Sequence, residues 1–528
     1  MKHYRPLVLI ALALLLACSA AGAWRASAMP AQPELQTLPA WEHYGFFQGE
    51  RPGIAGLTAG QASGDAFLPD LAIMPSWEYY PGDEEQGVRL GWAVAGAGLV
   101  NGDLYADILV GADKGGANRE GWAGLFLGSN AGPQTMTAWE VLGENKGDLF
   151  GGSLDSAGDV NGDGYADIAV GASNHEETLA GEGAVYVYMG GATGLALTPD
   201  WKAFGGLSSG RFGMAVAGAG DVNGDGYADL VVGMPGYTYE DKTNAGKALV
   251  YFGSSEGLTM VNVWYDIGTQ SAAQFGTEVN AAGDVNGDGY DDVLIGEPYY
   301  DAVINDVLYL DAGAVYLYLG NGGEYGLSNI HVWSYFGYRG ADHLGLSVAP
   351  AGDLNGDGCA DVAIGAPGYN IGSLLDAGRV YVFYGCRPTL SGLNDVPDWY
   401  FSIEQANANV GIDVSSAGDT NHDGYDDLLV GAHLYDDEQA NEGTVYVFFG
   451  GPDGLNPLPG WQADGNKNDT YFGYAVDGAG DTNGDGFTDA LVGAPTFRVN
   501  EVIKGAVFLF FGTQQTVVYH SYMPFMLK

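Results

Sequence analysis

Basic residues are scarce in this 528-residue chain: 19 Lys and Arg stand against 66 Asp and Glu, a formal net charge of −47. That balance excludes a nucleic-acid partner, because phosphate binding needs clustered positive charge. Cysteine is rarer still, with three residues. Of these, Cys359 and Cys386 define no disulfide framework; they could pair in an oxidising compartment or simply be two small, semi-buried residues. Helical periodicity is missing throughout. No apolar run reaches the about 18 residues a membrane-spanning helix needs, and no G-X-Y period accompanies the 87 glycines, which excludes a collagen-like chain. What remains abundant is Gly and Tyr (33 residues), the composition of a protein built from turns and strands.

The first residues, MKHYRPLVLIALALLLACSAAGAW, read as a secretory signal peptide over residues 1–28, with Lys2 and Arg5 before the apolar run Leu7–Ala17. Cleavage could follow Ala21-Gly22-Ala23 or Ala26-Ser27-Ala28. Alternatively, Leu15-Leu16-Ala17-Cys18 resembles a bacterial lipobox, which would make Cys18 a lipid anchor, although Leu16 is unusual there.

The rest of the chain is periodic. DVNGDGYAD stands at Asp159 and again at Asp221, with near-copies from Asp284, Asp353, Asp419 and Asp481, so the steps are 62, 63, 69, 66 and 62 residues. A degraded copy, LVNGDLYAD, begins at Leu99. Trp139, Trp201, Trp264, Trp333, Trp399 and Trp461 each lie twenty residues ahead of a loop. Each unit reads as four short strands, A to D, with the loop between A and B. Seven such units predict an all-β, seven-bladed propeller of four-stranded blades over 67–512, because radial closure leaves no long sheet edge unpaired. The last unit supplies only A, B and C strands. Leu71…Pro75-Ser76-Trp77 matches the Trp segments elsewhere, so the Trp77 strand is expected to pair with the Gly505–Phe511 strand and close the ring. Residues 29–66 are an extension or a decayed repeat, which leaves eight blades as the alternative. The tail, 513–528, is a rival closing strand.

In D-x-N-x-D-G-x-x-D, positions 1, 3, 5 and 9 offer side-chain oxygens, position 7 a main-chain carbonyl, and Gly at position 6 the sharp turn; this is a donor set for calcium. The expected ligands are Asp159, Asn161, Asp163, Tyr165 and Asp167; Asp221, Asn223, Asp225, Tyr227 and Asp229; and Asp284, Asn286, Asp288, Tyr290 and Asp292. The later loops add Asp353, Asn355, Asp357, Cys359 and Asp361; Asp419, Asn421, Asp423, Tyr425 and Asp427; and Asp481, Asn483, Asp485, Phe487 and Asp489. Position 12 of the first intact loop is Val170 rather than a bidentate Glu, and a strand follows rather than a helix, so these are not EF-hands. About six calcium ions would carry +12 and leave −35 of the −47. The Leu99 copy has lost its first carboxylate, and Leu104 stands where the turn Gly belongs.

Phe-Gly pairs (Phe150-Gly151, Phe212-Gly213, Phe275-Gly276, Phe472-Gly473) precede the loops. Gly365-Ala366-Pro367 and Gly493-Ala494-Pro495, with variants at Gly233 and Gly296, follow them. In these features the chain resembles FG-GAP repeat proteins and the N-terminal propeller of integrin α subunits. The resemblance implies calcium in the A–B loops on one end of the propeller. It also implies a partner on the opposite end, where the B–C and D–A connections carry Tyr237, Tyr239, Tyr299, Tyr300, Tyr369, Tyr435 and Phe497. It does not extend to leg domains, a membrane helix or an inserted metal-dependent domain. The expected function is a secreted or cell-surface module for protein or glycan contact and adhesion, not an enzyme. The alternative is an extracellular hydrolase. GLSSG (Gly206–Gly210) and GSSEG (Gly253–Gly257) match G-x-S-x-G, but that motif works from a strand-to-helix turn. His175, His331, His343 and His433 fall on different units and show no ligand spacing.

Overall fold

The computed structural model describes residues 75–81, 87–323, 326–437, 439–513 and, as backbone, 520–522. The leader, the Cys18 lipobox and the 29–66 segment lie outside the described residues. Seven blades are present, each with four antiparallel strands ordered A-B-C-D, and the sheet of blade 6 carries one further strand. In blade 2 these strands are Phe150–Gly158, Asp167–Ala172, Ala184–Tyr188 and Trp201–Phe204. Strand A is innermost and rich in small residues because seven A strands converge around one axis. A Cβ at Gly96, for example, would sit 2.4 Å from the Gly478 carbonyl of the neighbouring blade. Strand B is buried on both faces and correspondingly apolar, as in DIAVGA. Each A strand ends in a bulge at a left-handed glycine, such as Gly158 at φ 73°, which turns the chain into the A–B loop.

The tryptophan beat has a packing cause. Each strand-D Trp meets, edge to face, the aromatic that ends or follows strand C of the next blade: Trp139 with Tyr188 at 4.8 Å, Trp264 with Tyr318 at 4.8 Å, Trp461 with Phe510 at 4.9 Å. Trp77 completes the series against Phe126 of blade 1, at 5.1 Å. Its strand, Trp77–Tyr79, pairs with Ala506–Phe510 in the register Trp77↔Leu509, so blade 7 takes its outer strand from the N-terminal side, as the sequence predicts. The ring therefore closes with seven blades, and the eight-bladed alternative is excluded. The tail does not close it either: His520–Tyr522 adds in parallel to the outer strand of blade 6, Trp461–Asp464.

A second seam closes the ring at the loops. The N–H of loop position 8 donates to the carbonyl of position 1 in the preceding blade, as in Ala228 to Asp159 (3.0 Å), and Ala106 of blade 1 reaches back to Asp481 of blade 7 (2.9 Å).

Candidate functional site: the A–B loop rim and the opposite face

In each intact loop the position 1 carboxylate organises the turn. Asp159 Oδ1 accepts the N–H groups of Gly162 (2.7 Å) and Asp163 (3.0 Å), and Oδ2 accepts that of Gly164 (2.8 Å). Asn161 Oδ1 accepts from Asp163, and Asp163 Oδ1 from Tyr165. Gly164 needs φ 92°, a left-handed conformation that favours glycine, while the space around its α-carbon is open. The same bonds recur at Asp221, Asp284, Asp353 and Asp481. The fifth intact loop keeps most of them, with His422 taking the left-handed position 4 at φ 59°.

Position 9 does more than the sequence suggests. Asp167 is fully buried; Oδ2 accepts Val160 N–H (2.9 Å) and Oδ1 accepts Gly190 N–H (2.8 Å), which ties the loop to the end of strand C. The same staple holds in all seven blades, including the degraded one, where Asp107 accepts from Val100 and Gly128. Burial, with the Asp159 and Asp163 charges adding to it, pushes the Asp167 carboxyl up to about 7. Asp229, Asp292 and Asp361 reach about 8 for the same reasons. Each loop thus gathers like charge around hard oxygen donors, and this donor set fits a calcium ion. In the degraded copy Leu104 is almost wholly exposed; the turn bonds to a position 1 carboxylate are lost, while the staple and the bonds around Asp103 survive.

Position 7 also has a role the repeat pattern does not reveal. Its side chain packs on position 4 of the preceding blade: a Cβ at Gly162 would meet Tyr227 Cε1 at 2.7 Å, and one at Gly484 would meet Tyr105 at the same distance. Where Cys359 takes this place, it is disulfide-bonded to Cys386 beyond strand C, with the Cα atoms 5.6 Å apart. This settles the alternatives left open by the cysteine count.

At the other end, side chains bridge several B–C loops to the D–A connection before them. Arg89 pairs with Asp113, Gln270 with Asp301, Arg339 with the Asn370 carbonyl, and Gln405 with Asp436. The expected aromatic contact set is only partly available. Tyr239 is exposed, and Tyr237, Tyr299, Tyr300 and Tyr435 are half-buried. Tyr369 and Phe497, however, are core residues, with Arg379 lying 3.9 Å over the first and Lys467 Nζ 4.0 Å over the second. A position two residues after the B–C proline lies under the loop, where blade packing needs a ring.

What the sequence pattern missed is a hairpin. In the longest B–C loop, Ala302–Ile304 pairs with Val307–Tyr309 around Asn305-Asp306, both left-handed, as a two-residue turn requires. Val303, Val307, Leu308 and Leu310 are 67, 49, 58 and 57% exposed on it. The C–D turns on the opposite end also expose apolar residues, such as Met136, Leu197 and Leu458, but these are spread one or two to a blade.

The channel between the inner strands encloses about 630 Å³ and presents Glu278 together with three aspartates, Asp155, Asp413 and Asp477. The aspartate carboxylates accept the N–H groups of Gly218, Val476 and Gly96, each from another blade. The three aspartates are therefore engaged in holding blades together. Ser208 and Ser255, the G-x-S-x-G serines, lie in turns that lead into strands, and Ser208 Oγ donates to the Ala180 carbonyl. No helix long and apolar enough to cross a membrane occurs among the described residues.

The FG-GAP repeat family model matches residues 150–188, 212–251, 275–318, 344–383, 411–448 and 472–510. These are blades 2 to 7; blade 1, with the degraded loop, is unmatched. Among curated proteins the chain is similar to Integrin alpha-PS5 of Drosophila melanogaster, 33% identical over 33% of this chain and 18% of that one. It is 32% identical to Integrin alpha-V of Gallus gallus over 45% of this chain and 21% of the relative. It is also 29% identical to Phosphatidylinositol-glycan-specific phospholipase D of Homo sapiens, over 43% of this chain and 27% of that protein. The chain thus aligns with about a fifth to a quarter of these longer relatives. Six matched repeats in a closed seven-bladed ring make it an FG-GAP repeat protein with an integrin-α-like propeller.

Proposed function

We propose that this chain is a calcium-stabilised, extracellular interaction and adhesion module that binds a protein or glycan on the end formed by the B–C and D–A connections. The observation that carries the reading is the blade 4 hairpin, which holds four exposed apolar side chains within eight residues at that end. Clustered exposed apolar surface on an otherwise acidic protein marks a contact site. The similarity to integrin α chains supports a binding role. In this reading Asp159, Asn161, Asp163, the Tyr165 carbonyl and Asp167, with their counterparts in five further loops, hold calcium. The ion supplies positive charge that offsets crowded carboxylates, and the loops stiffen the rim behind the binding face.

The test is a protein and glycan array probed in millimolar calcium with the intact chain and with Leu308→Asp. Binding that the variant loses, with an unchanged melting temperature, is the expected result. Equal binding by both refutes the assigned face. A hydrolase panel run on the same sample checks the enzymatic alternative, and turnover abolished by Ser208→Ala or Ser255→Ala would establish it.

A further inference from the structure

Blade 2 departs from its sisters at one place on the binding end. Four residues past the glycine that nearly completes strand B, blades 3 to 7 carry Tyr237, Tyr300, Tyr369, Tyr435 and Phe497, whereas blade 2 carries His175. Its side chain is fully buried, with Nδ1 3.0 Å from Oδ2 of Asp148, a carboxylate that is itself buried and also accepts Asn145 N–H. Phe204 stacks on the ring and Tyr186 stands edge-on to it. The other nitrogen, Nε2, is buried with no hydrogen-bond partner. It is aimed at Glu177 Oε2, 3.6 Å away, and Glu144 Oε2, 3.8 Å away, beyond hydrogen-bonding range.

With Asp148 accepting from Nδ1–H, Nε2 faces two carboxylates; burial opposes protonation, but the Asp148 hydrogen bond and the Asp148 and Glu144 charges outweigh it and hold the imidazole above its ordinary pKa. A pocket of this polarity holds a positive charge at Nε2, which a proton or a metal ion can supply. Lys202 Nζ, 2.8 Å from both Glu144 oxygens, offsets one of the charges from outside the cluster. The three donor atoms lie within 4.8 Å of one another. We propose that His175, Glu144 and Glu177 bind a zinc-class divalent cation, with Asp148 as the positioning residue that fixes the imidazole. Four-coordinate zinc, with bonds of about 2.0–2.1 Å, spaces its donors about 3.3 Å apart, a few tenths of an ångström inside the two His175–Glu distances, and the two half-exposed Glu side chains are free to close on it. An imidazole donor suits zinc rather than calcium, which takes oxygen. The carboxylate behind the imidazole is the usual outer partner of a metal-bound histidine. Both Glu side chains are about half exposed, which gives the ion its entry path. Three protein donors leave a fourth position for water or an incoming ligand. This site is independent of the calcium loops, which lie at the other end of the blade.

The experiment is equilibrium dialysis of the intact, calcium-saturated protein against micromolar Zn²⁺, with Co²⁺ substitution as a spectroscopic check. One zinc per chain is expected, with a cobalt spectrum of tetrahedral type. Glu177→Gln, at a half-exposed position that folding tolerates, and His175→Gln should each abolish the site. Asp148→Asn should weaken it about 10–100-fold, and the calcium-loop variant Asp163→Asn should leave it intact. Zinc uptake by Glu177→Gln equal to that of the unaltered protein, or no zinc bound by the unaltered protein, overturns the proposal.

Discussion

Ring closure rests on one short strand, and Trp77→Ala measures it. The side chain is 8% exposed and packs edge-on against Phe126 of blade 1, while its strand is held to blade 7 at Leu509, Phe508 and Val507. Truncating a buried Trp costs about 3–5 kcal/mol. A propeller of roughly 440 residues has an unfolding entropy near about 0.9 kcal/mol per kelvin, so the melting temperature should fall by about 3–5 °C. Glu78→Ala, on the exposed face of the same strand, is the control and should shift it by less than about 1 °C. Calorimetry in calcium reads both. If Trp77→Ala melts with Glu78→Ala, the strand does not close the ring.

A finer comparison separates packing from hydrogen bonding. Trp333 Nε1 donates to the Asn394 carbonyl at 2.9 Å, whereas Trp77 Nε1 is buried with no partner among the described residues. Trp333→Phe therefore strands a carbonyl and should cost about 1–3 kcal/mol more than Trp77→Phe. Equal costs at the two sites would refute that assignment.

Three further outcomes are expected. Chelation should lower the melting temperature by several degrees: at about ten times Kd each loop contributes roughly 1.4 kcal/mol and six independent loops about 8 kcal/mol, so an unchanged melt would mean that the loops hold no ion. Reduction of Cys359–Cys386, 27 residues apart, should cost about 3.5 kcal/mol on the loop-entropy estimate, read as a shift in denaturant midpoint that a Cys386→Ser variant does not show. Burial, reinforced by the Asp477 charge, pushes Asp155 up to about 8 and Asp413 to about 7. Since unfolded Asp titrates near about 3.9, the folded channel holds extra protons. Its stabilising contribution is complete below about pH 4 and is lost as pH rises through about 7–8. The melting temperature of calcium-loaded protein should fall over that window, and Asp155→Asn with Asp413→Asn should flatten the slope.

The fold was legible because its determinants repeat. A 62-residue step, a Trp at constant distance and a missing last Trp segment together specify blade count and closure, and the structure places Trp77 as that pattern requires. The loops were legible as repeated turns, each organised by its position 1 carboxylate. The second duties of position 7 and position 9 were not, because they are contacts with the end of strand C or with a loop about 60 residues away. The proposed binding face was the least legible part. Tyr369 and Phe497 carry the same residue types as an exposed contact set, yet their depth under the loop is set by the connections packed over them. The hairpin at Val303–Leu308 arises from a two-residue Asn-Asp turn inside what reads as a long connection. The His175 cluster joins residues from two loops 27 or more positions apart, and no spacing rule reaches that far.

The degraded loop separates what folds the rim from what an ion adds. Leu99 and Leu104 remove the position 1 carboxylate and the turn glycine, yet Asp107 still staples strand C, the Ala106 N–H still meets the Asp481 carbonyl, and Tyr105 still packs on Gly484. The rim can therefore close at a blade whose loop has lost its metal-binding pattern. On the proposed reading, calcium in the six intact loops would relieve charge crowding rather than hold the ring. Asp159→Leu with Gly164→Leu, which imports the degraded pattern into blade 2, should preserve the seven-bladed fold and lower calcium stoichiometry by one. A loss of fold in that variant, judged by near-ultraviolet circular dichroism, would refute the separation.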